Sequence, residues 1–88
     1  MPAVHTVELL DEALAVARSL GYRIRQEWLD GGGGACQFGG QQWLFVDLSL
    51  SSIEQLHQVL EALEEDPRVS ENKLSTRLFQ VMQIRRAA

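Results

Sequence analysis

Trp43-Leu44-Phe45-Val46-Asp47-Leu48 decides the fold, because this extended stretch carries apolar side chains on both of its faces. Successive side chains of a strand point to opposite faces of a sheet, so alternate residues from Leu44 onward can face helices. Trp43 and Phe45, together with Asp47, then lie on the opposite face. A sheet with helices on one side only would expose the two aromatic rings, and exposed aromatic patches mark interfaces. We therefore expect one face covered by helices and one face that needs a different cover.

Two further extended segments precede this strand. Residues 22–29 alternate in the two-residue period of a strand, and residues 35–38 form a short second strand. Asp30 and the glycines Gly31, Gly32, Gly33 and Gly34 separate the first from the second, and residues 39–42 separate the second from the third. Turns this short favour antiparallel neighbours, so the sequence predicts a three-stranded antiparallel meander with its third strand at 43–48.

Three helices are predicted around the sheet. The first spans about 6–20, with Thr6 as its N-cap and a broad apolar face suited to packing on a sheet. The second spans about 53–65; Ser51 and Ser52 each have a Glu or Gln three residues later, so either serine can form a capping box. The third spans about 71–85 with an N-cap at Ser70.

The predicted fold class is therefore α+β, with element order α-β-β-β-α-α and the meander sheet packed against helices. The 88 residues fit a single domain, 1–88, and leave no room for a second core.

Composition and charge exclude several classes of partner. Eight basic against twelve acidic residues give a net charge of −4, which offers no field for binding phosphate backbones, so no nucleic acid is expected. No apolar run is long enough to cross a bilayer, and residues 1–5 do not begin a signal peptide, so no membrane association is expected. The lone Cys36 suits a reducing compartment, and we expect a cytoplasmic protein.

The exposed aromatic face leads to the main functional hypothesis. Trp43 and Phe45 need a cover, and so do Phe79 and Ile84, which fall off the main apolar stripe of the third helix. We expect a small non-enzymatic interaction module that binds a second copy of itself, as a homodimer, or another protein. The alternative for the same pattern is that the third helix wraps onto the second face of the sheet, or that a long side chain covers the aromatic patch.

A second hypothesis is a ligand-binding or thiol-dependent domain centred on Cys36, His57 and the glycine run Gly31–Gly34. The run can be a flexible hairpin tip, or it can leave a groove free for a ligand backbone; no Lys or Arg follows it to hold phosphate. Cys36 could react as a thiolate if His57 lay beside it, but a cysteine in a short strand is usually a buried hydrophobe. Asp47 is an unusual carboxylate because aliphatic residues flank it in the third strand. A position at the end of the strand, where its side chain caps the following serine turn, would explain a carboxylate there.

No metal and no cofactor are predicted. The order helix, three strands, helix resembles the minimal zinc-peptidase unit, whose helix after the sheet carries a His-Glu-x-x-His motif. Only Glu61 matches that motif here, because Leu60 and Glu64 occupy the two histidine positions. Without those imidazoles zinc cannot be held, so the resemblance implies no peptidase activity.

Overall fold

The structure is a computed structural model that describes the backbone of residues 2–69 and 74–87 and the side chains of residues 5–69 and 74–85. These residues form α1 (Pro2–Ser19), β1 (Arg23–Glu27), β2 (Gly34–Phe38), β3 (Gln41–Asp47), α2 (Ser52–Glu64) and α3 (Thr76–Ala87). The α+β class and the predicted element order are confirmed.

The predicted antiparallel meander is wrong, because the sheet is mixed and its strand order is β1-β3-β2. β3 is the central strand: β1 pairs with it in parallel and β2 pairs with it antiparallel. The segment 28–33 therefore passes across the end of β3, from one edge of the sheet to the other. The turn predicted at 39–42 does join neighbouring strands, but it is shorter than predicted, because β3 begins at Gln41. Gly39 and Gly40 form the turn, and their positive φ angles of 60° and 77° suit a two-residue hairpin.

The helices form one layer on one side of the sheet. Leu44 and Val46 of β3 are fully buried and join the core with residues of α1, α2 and α3, as their alternation predicts. α1 packs against α2 and β1, α2 packs against β2 and β3, and α3 packs against α1. The salt bridge from Arg85 to Glu64, at 2.8 Å, also fastens α3 to α2.

Two predicted helix starts need correction. α1 begins at Pro2, so Thr6 lies inside the helix and is not its N-cap. α3 begins at Thr76, and the Ser75 hydroxyl accepts a hydrogen bond from the Leu78 N–H at 3.1 Å, as an N-cap does. The N-cap predicted at Ser70 lies outside the described residues.

A polar cluster around the buried Asp66 connects the ends of several elements. The Tyr22 hydroxyl donates to the Asp66 carboxylate at 2.9 Å, and Arg68 donates to both oxygens of the same carboxylate. Arg68 also donates to the backbone oxygen of Leu20 and to the side chain of Gln42 in β3. The cluster holds the residues after α2 against the α1–β1 junction.

Candidate interaction surface

One face of the sheet carries no helix in the part of the chain that the structure describes. Residues paired across neighbouring strands point to the same face, so the strand register assigns each side chain. We call the face opposite the helices the open face. Its side chains are Arg23, Arg25 and Glu27 of β1, Gln41, Trp43, Phe45 and Asp47 of β3, and Cys36 and Phe38 of β2; of these, Asp47 is fully buried.

The centre of the open face is an aromatic stack. The rings of Trp43 and Phe45 are stacked with centroids 5.9 Å apart and an interplanar angle of 18°. Both residues are half-buried, and neither belongs to the hydrophobic core or to the residues packed against it. The part of this apolar surface that stays accessible is available to a partner.

Charged side chains border the stack on the β1 side. The Arg23 guanidinium carbon lies 5.8 Å from the centroid of the Trp43 ring, a cation–π arrangement. Arg25 and Glu27 form a salt bridge of 2.5 Å, in which both side chains are substantially exposed. The border therefore contains both signs of charge.

On the β2 side the face is neutral and exposed. Phe38 is 74% exposed, and Cys36 is an exposed free cysteine paired with Trp43 across the strands. Phe38 is not among the interface residues predicted from the sequence. Once β2 is aligned antiparallel to β3 across the Gly39-Gly40 turn, alternation places Phe38 on the same face as Cys36, and this signal was available in the sequence.

The structure does not bring all four interface candidates together. Trp43 and Phe45 form the stack, whereas Phe79 and Ile84 belong to α3 in the helical layer. Phe79 is partly buried in a hollow that it shares with Leu63 and Met82, and Ile84 is 70% exposed. The alternative in which α3 wraps onto the second face is not realised, because Leu78 and Met82 of α3 enter the core.

Asp47 holds the segment that crosses the sheet. This fully buried residue ends β3, and its carboxylate accepts hydrogen bonds from the N–H groups of Leu29 at 2.9 Å and Gly31 at 2.5 Å. The backbone N–H and hydroxyl of Ser49 donate to it as well, at 2.9 and 2.7 Å, so Asp47 caps the serine turn. Burial by itself would raise the pKa of Asp47, but these hydrogen bonds outweigh it and lower the pKa to about 2.

The glycine run is part of the same crossing and is not a hairpin tip, because β1 and β2 are not neighbours. The Gln58 side chain of α2 donates to the Gly32 carbonyl and accepts from the Asp47 N–H, both at 2.9 Å. Gly33 has a φ of 106°, and a Cβ there would lie 2.7 Å from the Phe45 carbonyl oxygen. The close packing requires glycine at this position.

The remaining site candidates lie apart. Cys36 is on the open face, while His57 is exposed on α2, which packs against the other face. The thiol and the imidazole are thus on opposite sides of the sheet. Among the described residues, no group of three or more His, Cys, Asp and Glu side chains is placed to hold a metal ion.

In comparisons with known proteins, no protein-family model matches the chain, and no curated protein or solved structure is significantly similar to it. None of the helices formed by the described residues combines the length and the apolar character needed to cross a membrane.

Proposed function

We propose that this domain is a non-enzymatic interaction module that self-associates through its open face. The observation that carries the proposal is the Trp43–Phe45 stack, which lies outside the core on a sheet face without a helix. Phe38 extends this apolar surface to the edge of the sheet. Covering such a surface removes apolar area from water, which stabilises an assembly by about 25 cal/mol per Å².

A second copy is the partner that the charges favour. The border of the open face carries Arg23 and Arg25 beside Glu27, and Glu27 already pairs with Arg25, so a two-fold arrangement can set Arg23 of each copy near Glu27 of the other. Two sheets packed face to face would bury the aromatic stacks between them, as in a β-sandwich. The apolar stacks would cover each other in this arrangement, and one arginine–glutamate pair per copy can form across the two-fold axis.

Substitutions on the open face and on α3 test the proposal. We expect Phe38→Glu and Phe45→Glu to give folded monomer in sedimentation velocity, because each places a charge in the proposed interface. Ile84→Glu is the matched control: Ile84 is about as exposed as Phe38 but lies on α3. It should leave the dimer intact.

Two outcomes of the same experiment would contradict the proposal. If Ile84→Glu dissociates the dimer and Phe38→Glu does not, α3 is the interface. If the native protein is monomeric at every concentration, self-association is excluded. Phe38→Glu keeps the test informative even if Phe45→Glu unfolds, since Phe38 contributes little to the fold.

A cytoplasmic location is part of the proposal. Cys36 is free and exposed, and such a thiol persists in a reducing compartment and is oxidised elsewhere. The thiol-dependent alternative rests on this accessible thiol, without His57 beside it. Cys36→Ser should leave the dimer mass unchanged, and a loss of any binding activity in that variant would favour the alternative.

A further inference from the structure

The two edges of the sheet differ in charge. β1, Arg23–Glu27, places three charged side chains along its edge, and charged residues discourage the pairing of edge strands with other chains. β2, Gly34–Phe38, contains no charged residue and no proline, and its residues from Ala35 onward are exposed. The β2 edge is therefore open to an added strand, whereas the β1 edge is protected.

The register identifies the backbone groups that an added strand would meet. The two-residue turn Gly39-Gly40 makes Phe38 and Gln41 the hydrogen-bonded pair that closes the hairpin. Hydrogen-bonded and non-hydrogen-bonded pairs alternate along an antiparallel ladder. The N–H and C=O groups of Ala35 and Gln37 therefore point away from β3, to the outer edge of the sheet.

A groove runs between this edge and α2. Its volume is about 240 Å³, and it is lined by Gly33, Gly34, Ala35, Gln58, Glu61, Ala62 and Glu65. The exposed carboxylates of Glu61 and Glu65, one helical turn apart, form its acidic wall. Ala35 is small, so the floor beside β2 leaves room for side chains of an added strand.

We propose that the β2 edge binds an extended, basic segment of a partner protein, which adds to the sheet as an antiparallel strand. Residues of the segment opposite Ala35 and Gln37 would point their side chains towards α2, where lysine or arginine can reach Glu61 and Glu65. Backbone hydrogen bonds to β2 contribute the affinity, and the acidic wall makes the site prefer segments with basic side chains.

The acidic wall also disfavours a second copy of the chain at this edge. Pairing two β2 strands about a two-fold axis would place the helices of both copies on the same side of the joined sheet. Glu61 and Glu65 would then approach the same residues of the other copy, and like charges repel. This edge is thus distinct from the open face, and the inference does not depend on self-association.

A titration with a designed peptide tests the inference. The probe is an acetylated and amidated hexapeptide that alternates lysine and valine, and binding is measured by isothermal titration calorimetry at low ionic strength. We expect binding that weakens with added salt, and a loss of about two- to five-fold for Glu61→Gln and for Glu65→Gln. Asp11→Asn, which removes the same charge from the exposed surface of α1, should bind as the native protein does.

Methylated peptides test the strand geometry. In the proposed register the lysine N–H groups face β2 and the valine N–H groups face away, because directly opposed residues share a side of the sheet. Methylating the lysine backbone nitrogens should abolish binding, and methylating those of the valines should not. Equal binding of both methylated peptides, equal loss in Glu61→Gln and Asp11→Asn, or no binding of the unmodified peptide would each overturn the inference.

Discussion

Asp47 gains its hydrogen bonds in the folded chain, and this makes stability depend on pH. Its pKa of about 2 in the folded protein lies below the value of about 4 for an unfolded aspartate. Because the pKa is lower in the folded protein, the ionised carboxylate stabilises the fold at pH values above the unfolded-state pKa. That stabilisation is lost as the pH falls from about 4 to about 2.

We therefore expect Asp47→Asn to lower the thermal midpoint at neutral pH and to flatten its decline between pH 4 and pH 2. Circular dichroism melts across this range measure the effect. Asp11→Asn, in an exposed position on α1, should decline as steeply as the native protein. If the two variants have the same acid profile, the hydrogen bonds to Asp47 do not govern the pH dependence.

Gly33 provides a second prediction at the scale of one residue. Gly33→Ala combines a strained positive φ with a Cβ only 2.7 Å from the Phe45 carbonyl oxygen, whereas a Cβ at Gly31 meets nothing within 4 Å. Gly31→Ala should cost the backbone strain alone, about 1–2 kcal/mol in the free energy of unfolding. Gly33→Ala should cost clearly more in urea denaturation, and equal costs would show that the crossing segment is not tightly packed.

At the scale of elements, the start of α2 was easier to predict from the sequence than the pairing of the strands. The sequence allowed a capping box from either Ser51 or Ser52, and the structure selects Ser51: its backbone N–H donates to the Glu54 carboxylate at 3.1 Å, and its hydroxyl accepts from the Glu54 N–H at 3.3 Å. Such local signals involve residues a few positions apart, so a sequence can reveal them.

Removing this cap gives the corresponding prediction. Ser51→Ala should lower the free energy of unfolding by about 1 kcal/mol, because it leaves an N-terminal N–H of α2 without its acceptor. Ser52→Ala, one residue inside the helix, is the control and should change stability by only a few tenths of a kcal/mol. Both are measured by urea denaturation, and equal losses would contradict the assigned cap.

Strand pairing was less predictable than the helix ends. Hydrophobic alternation correctly placed Leu44 and Val46 in the core, but it contains no information about which strands are neighbours. The parallel pairing of β1 with β3 joins residues far apart in sequence, and so do the contacts of Asp47 and Gln58 with residues 29–32 in the crossing segment. A glycine-rich segment is as compatible with a hairpin turn as with a segment that crosses the sheet, which is why a meander was predicted.

At the scale of the whole molecule, the protein is a two-layer domain in which the described helices lie on one face of a mixed sheet. The two-faced apolar stretch around Trp43 and Phe45 left two arrangements open, and the structure places α3 in the helical layer and not over these side chains. The hypothesis of a site built from Cys36 and His57 required the two side chains to lie close together, and local sequence patterns do not predict such a distance. The sheet separates the two residues.

The central claim is that the open face is a self-association surface. Light scattering on a sizing column, over a series of protein concentrations, tests it most directly. We predict a mass that approaches twice the 9.9 kDa of one chain as concentration rises. A mass of one chain at all concentrations would contradict the claim.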